Sequence, residues 1–103
     1  MNISVLGAGS WGTTLAIVLD NNGHNTTLWE YKKSYAKKLL KTRVNQIYLP
    51  NVKLSKTINI THDLEDAVQN KQMIVIAVPT QFIRSVLKKM TKVNLENTIL
   101  VSV

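Results

Sequence analysis

Apolar residues fall along this chain in short continuous runs, separated by stretches where they recur every three or four positions. Ile3-Ser4-Val5-Leu6 is β-branched enough to predict a strand, and glycines follow it at once. From Trp11 to Asn22, Leu15, Val18 and Leu19 take helical spacing, and Gly23 stands where a left-handed residue would end the helix. Thr26 to Trp29 predicts a second strand ending at Glu30, and Tyr35, Leu39 and Leu40 mark one face of a more polar helix over 34 to 43. The stretch "VNQIYLPNVKLSKT" then shows neither period and contains Pro50, so it is expected as a long connection of the kind that serves function.

Ile58 to Thr61 restores a strand pattern. Asp63, with Asp66 three residues on, predicts the cap and first turn of a short helix reaching about Asn70. "MIVIAV", Met73 to Val78, is apolar on both faces, as a central parallel strand must be when helices cover both sides. Pro79 stops it, Thr80 is placed to cap, and Ile83, Val86, Leu87 and Met90 form a helical stripe. Thr98 to Val103 predicts one more strand. Strict alternation of strand and helix implies an α/β fold, a doubly wound parallel sheet, and right-handed crossovers give it the expected order 3-2-1-4-5.

With 103 residues, 45% of them hydrophobic, the sequence suits one domain spanning 1-103. The absence of cysteine excludes disulfides, thiolate zinc sites and a cysteine nucleophile, and makes the reducing cytoplasm the expected compartment. His24 and His62 are the only imidazoles and stand apart, so no metal site is expected. Ile3 to Leu19 carries no charge, yet no basic segment precedes it and three glycines interrupt it, which predicts a buried strand and helix and no membrane insertion. The net charge of +7 suits anionic partners. It is carried partly by the pairs Lys32-Lys33, Lys37-Lys38 and Lys88-Lys89, which fit solvated helix faces, and no aromatic-basic interleaving points to a nucleic-acid partner.

The chemistry concentrates at "VLGAGSWGTT". Gly7, Gly9 and Gly12 form G-x-G-x-x-G between a predicted strand and helix, the context of a Rossmann-type dinucleotide-binding turn. Gly7 would permit the turn, Gly9 would admit a pyrophosphate, and Gly12 would let helix and strand pack closely. The amides of Ser10, Trp11 and Gly12 would then face phosphate at the positive end of the helix dipole. Glu30, 18 residues after Gly12, suits an acid that binds the adenosine ribose and favours NAD. Tyr31, Lys32 and Lys33 follow directly and suit the 2′-phosphate of NADP, so the choice between NAD and NADP stays open. Trp11 is expected to face the cofactor, and Trp29 the core. Val78, Pro79 and Thr80 end the fourth strand beside the cofactor's path, with Phe82 placed to pack on it and Arg84 to attract phosphate.

"GAGSWGTTLA", "NGHNTTLWE", "NQIYLPNVKL", "DLEDAV" and "IVIAVPTQFIRSVL" together resemble the amino-terminal domain of NAD(P)-dependent glycerol-3-phosphate dehydrogenase, bacterial type, over nearly the whole chain. The resemblance implies an oxidoreductase that interconverts dihydroxyacetone phosphate and sn-glycerol 3-phosphate for phospholipid synthesis. It implies cofactor contacts at Ser10, Trp11, Tyr31, Lys32 and Tyr48, and a homodimer for the full-length enzyme. Bacterial members often carry arginine or histidine after the second strand and prefer NADPH, where this chain has Glu30-Tyr31-Lys32. In the family a lysine follows a "VS"-like pair, and here Val101-Ser102-Val103 is the last of the sequence. The resemblance therefore implies a truncated cofactor domain, with no catalytic residue among the 103 and the helical substrate domain outside them. Two alternatives remain: a dehydrogenase of the 6-phosphogluconate or 3-hydroxyacid type, and a free-standing nucleotide-sensing or nucleic-acid-binding module.

Overall fold

The computed structural model describes all 103 residues. Strands β1 (Asn2–Leu6), β2 (Asn25–Trp29), β5 (Asn59–Thr61), β6 (Met73–Ile76) and β7 (Ile99–Ser102) form one parallel sheet in the order β5-β2-β1-β6-β7. The numbering departs from the expected 3-2-1-4-5 because an unforeseen antiparallel pair, β3 (Val44–Asn45) and β4 (Leu49–Lys53), is inserted before the edge strand. That pair occupies the stretch expected as an irregular connection. Its residues are mostly exposed, so no buried face forces the alternation that reveals a strand in sequence. Pro50 is tolerated because a two-stranded hairpin has free edges on both sides.

Helices α1 (Ser10–Asn21), α2 (Lys33–Thr42), α3 (Leu64–Val68) and α4 (Thr80–Met90) cover the two faces. One core layer gathers Ile3, Val5, Ala16, Leu28, Leu39, Ile60 and Val75, and the other gathers Leu6, Trp29, Val68, Ile74, Ile76, Val86 and Met90. β1 contributes to both, which is why it reads as a continuous apolar run and why it lies at the centre. The helices bury narrower stripes than their sequences suggest. Ala16, Ala36 and Leu39, with Val86 and Met90, meet the sheet, whereas Val18, Leu40 and Leu87 remain exposed.

Two terminus expectations come out differently. Asp63 caps α3 through a bond accepted from the Asp66 amide at 3.2 Å, as its position implies. Thr80 caps nothing: it is the first residue of α4, and Pro79 occupies the cap position without a side-chain hydrogen bond. Gly23 adopts φ +86 just past α1, a conformation open to glycine without strain. No helix is long and apolar enough to cross a membrane.

Candidate functional site

In a parallel sheet every strand delivers its carboxyl end to the same side, and strand order here reverses direction between β1 and β6. That switch point leaves a crevice between the two crossovers, and ligands of open α/β sheets sit there. The glycine turn lies directly on it, between β1 and α1.

The three glycines answer to different constraints. Gly7 has φ +114, and an added Cβ would lie 2.7 Å from the Ala77 carbonyl oxygen. At Gly12 an added Cβ would lie 1.9 Å from the Gly7 carbonyl oxygen. Both are required by the protein's own packing: backbone meets backbone, and nothing can give. Gly9 is unlike them. Its φ of -73 and ψ of -173 suit any residue, and an added Cβ would meet nothing within 4 Å. Nothing inside the protein calls for glycine at position 9. The open space beside it is the kind of cradle that a pyrophosphate requires, so the residues present fit a dinucleotide.

Gly9 also occupies the cap position before α1, and it offers no side chain to cap the helix. The first helical bond runs from the Thr13 amide to the Gly9 carbonyl at 3.0 Å, which leaves the amides of Ser10, Trp11 and Gly12 ahead of it. No acid stands in the first turn of α1 or of α4, whose start at Pro79 and Thr80 faces the same side of the sheet. Trp11 is 57% exposed at the rim of the turn.

Glu30 follows the last residue of β2 and is only 6% exposed. Its amide bonds the Thr61 carbonyl at 2.9 Å, and its Oε1 lies 3.4 Å from the Lys32 amide that donates to it. Burial pushes its carboxyl above the usual 4.5, and the backbone amides of Lys32 and Tyr31 and the Lys32 charge pull the other way. A solvated acid paired with a lysine, the plain alternative for this position, does not describe it. Trp29 is in the core as expected, and its indole N–H reaches the His62 carbonyl at 2.9 Å, tying the ends of β2 and β5 together.

Beyond Glu30 a cavity of about 240 Å³ is lined by Tyr31, Lys32, Tyr35, Lys38 and Tyr48 among others. Tyr31 and Phe82 stack with ring centroids 6.3 Å apart and planes at 25°, joining the segment after β2 to the first turn of α4. Lys32 Nζ stands 5.9 Å from the centre of the Tyr31 ring. The structure therefore gathers Glu30, Tyr31, Lys32 and Tyr48 on one side, with Phe82 reaching Tyr31 from the other. Arg84 is exposed on α4 and enters neither cavity. A larger cavity of about 380 Å³, between Arg43, Asn59, Asp66 and Lys71, contains no residue of the glycine turn.

Sequence reasoning missed Ser34 and Lys38, which line the cavity from α2, and it missed Asn45. The Asn45 side chain is fully buried and bonds the Ala8 carbonyl and Thr13 Oγ1. Ser34 and Lys38 had a signal, since Lys38 lies on the turn of helix after Ser34 and so on the same side. Asn45 had none beyond opening the "NQIYLPNVKL" motif.

Residues 2–103 match the sequence model of the family described as NAD-dependent glycerol-3-phosphate dehydrogenase N-terminus. The chain is similar to glycerol-3-phosphate dehydrogenase [NAD(P)+] of Fusobacterium nucleatum, 45% identical over 103 residues, covering 100% of this chain and 31% of that protein. It is 44% identical over 87 residues to the Bacillus subtilis protein of the same name, covering 84% of this chain and 25% of the relative. Among solved structures it resembles glycerol-3-phosphate dehydrogenase from Coxiella burnetii, with a TM-score of 0.92 at 33% identity, over 98% of this chain and 31% of the other. The chain thus spans about a third of the length of such relatives.

Proposed function

The chain belongs to the family of NAD-dependent glycerol-3-phosphate dehydrogenase amino-terminal domains, and on that premise we propose that it holds the dinucleotide for interconversion of dihydroxyacetone phosphate and sn-glycerol 3-phosphate. The observation that carries this reading is Gly9, a glycine that no internal contact and no backbone angle requires, standing beside open space at an uncapped helix start.

In this reading Gly7 and Gly12 shape the turn, and the amides of Ser10, Trp11 and Gly12 hold the pyrophosphate with the helix dipole behind them. Glu30 accepts hydrogen bonds from the ribose hydroxyls. Tyr31, Lys32 and Tyr48 wall the adenosine end, while Pro79 and Phe82 close the side toward β6. A dinucleotide held here would supply the nicotinamide that gives or takes the hydride. The chain's residues would position it at the carboxyl ends of β1 and β6. We assign no proton donor to these 103 residues. Substrate recognition, and the reaction itself, are proposed for the whole protein, together with a cytoplasmic location, which the absence of cysteine supports, and a homodimer, which rests on the family resemblance.

Both NADH and NADPH are expected to bind. Glu30 favours the free ribose of NADH, whereas Lys32, Ser34 and Lys38 around the same cavity offer charge and a hydroxyl to a 2′-phosphate. Parallel calorimetric titrations with the two cofactors test this, repeated with Glu30→Ala, which is expected to weaken NADH and spare NADPH. Short DNA at two salt concentrations serves as the competing ligand. Binding of DNA alone, falling steeply with salt, would overturn the proposal.

A further inference from the structure

The buried amide of Asn45 joins three segments that are remote in sequence. Its Nδ2 donates to the Ala8 carbonyl at 2.8 Å and to Thr13 Oγ1 at 2.8 Å. Its Oδ1 accepts from the Tyr35 hydroxyl and from the Tyr48 amide at 3.4 Å. Two donors and two acceptors are thereby all used, the full capacity of a primary amide. Tyr35 Oη in turn accepts from the Ile47 amide at 3.2 Å.

These partners fall on two sides. Ala8 lies inside the glycine turn and Thr13 in the first turns of α1, whereas Tyr35 belongs to α2, and Ile47 and Tyr48 to the loop between β3 and β4. The Ala8 carbonyl belongs to the peptide that links Ala8 to Gly9. A trans peptide is planar, with its carbonyl and N–H on opposite sides, so fixing that carbonyl on Asn45 turns the Gly9 N–H away from Asn45. Thr13 is the first residue to complete a helical bond, to Gly9 itself. One side chain therefore holds both ends of the turn whose amides the function needs.

We propose that Asn45 is a positioning residue for the dinucleotide: it sets the orientation of the Ala8–Gly9 peptide and couples the pyrophosphate turn to the Tyr48 loop that walls the adenosine end. This rests on the cofactor-binding role given above. An Asn45 that merely anchored the hairpin would govern stability alone. An Asn45 that positions the turn governs affinity in molecules that are fully folded.

Asn45→Asp separates the two. It keeps an acceptor for Tyr35 and Tyr48 but removes the donor to Ala8. NADH titration of the 103-residue chain, at a temperature well below each variant's thermal midpoint, is expected to give a Kd raised about tenfold for Asn45→Asp, with displaced amide resonances at Ser10, Trp11 and Gly12. Asp63→Ala, which loses a helix cap at α3, is the stability control and is expected to keep the wild-type Kd. If Asn45→Asp does not fold, Thr13→Val decides, with an expected rise of about threefold. A Kd within twofold of wild type in the folded variant would overturn the proposal, as would an equal loss in the Asp63→Ala control. Failure of the wild-type chain to bind NADH or NADPH would overturn the cofactor reading as well, whereas tight wild-type binding with unaffected variants would defeat only the role of Asn45.

Discussion

Helices α1 and α3 both start on the carboxyl side of the sheet, yet they begin in opposite ways. α3 is closed from within: Asp63 accepts the Asp66 amide, and Glu65 and Asp66 set negative charge against the helix dipole. α1 has Gly9 at its cap position, with no side-chain cap and no acid in its first turn. Capping and charge complementarity are easy to encode, as α3 demonstrates. Their omission at the start of α1 costs stability in the free protein and leaves donors and positive potential for an anion.

The comparison can be broken first at the glycines. Gly12→Ala places a Cβ 1.9 Å from the Gly7 carbonyl oxygen, a backbone atom that cannot step aside. Urea denaturation should show a loss of about 3 kcal/mol or more, the upper end of overpacking costs. At α3, Asp63→Ala should cost about 1 kcal/mol in the same experiment. Dinucleotide affinity should be unchanged, because that helix start is satisfied by the protein alone.

A smaller effect is expected at Glu30. Its folded pKa is raised by burial above 4.5, so the folded state holds more proton than the unfolded state between those two values. Stability therefore declines as pH rises from about 4.5 through the folded value and does not recover above it. Glu30→Gln should abolish that slope in denaturation curves recorded from acid to neutral pH. The variant should be the more stable protein at neutral pH.

How much of this was legible in sequence follows from what burial imposes. β1 and β6 are covered on both faces, so their apolar runs declared a central parallel sheet, and the glycine spacing declared the turn between β1 and α1. Asp63 was legible because a cap is a local device. The hairpin was not, since most of its residues face solvent and carry no alternating pattern. Thr80 misled because capping depends on where the helix actually starts, and Pro79 takes that place. Asn45 was out of reach: its partners at Ala8, Thr13 and Tyr35 meet only after the chain has folded. Sequence also could not separate the three glycines, which look alike in a motif and differ in what surrounds them.

That difference permits the most direct test of the central claim, that the turn at Gly9 is shaped for a ligand and not for the fold. NADH affinity and urea stability are measured together on the wild-type chain and on Gly9→Ala. An added methyl group meets no protein atom within 4 Å, so the stability loss should stay within about 1 kcal/mol, the preference of a helix N-cap for glycine over alanine, while Kd for NADH rises about tenfold or more. A variant that binds NADH as tightly as wild type, or one that unfolds as Gly12→Ala does, would contradict the account.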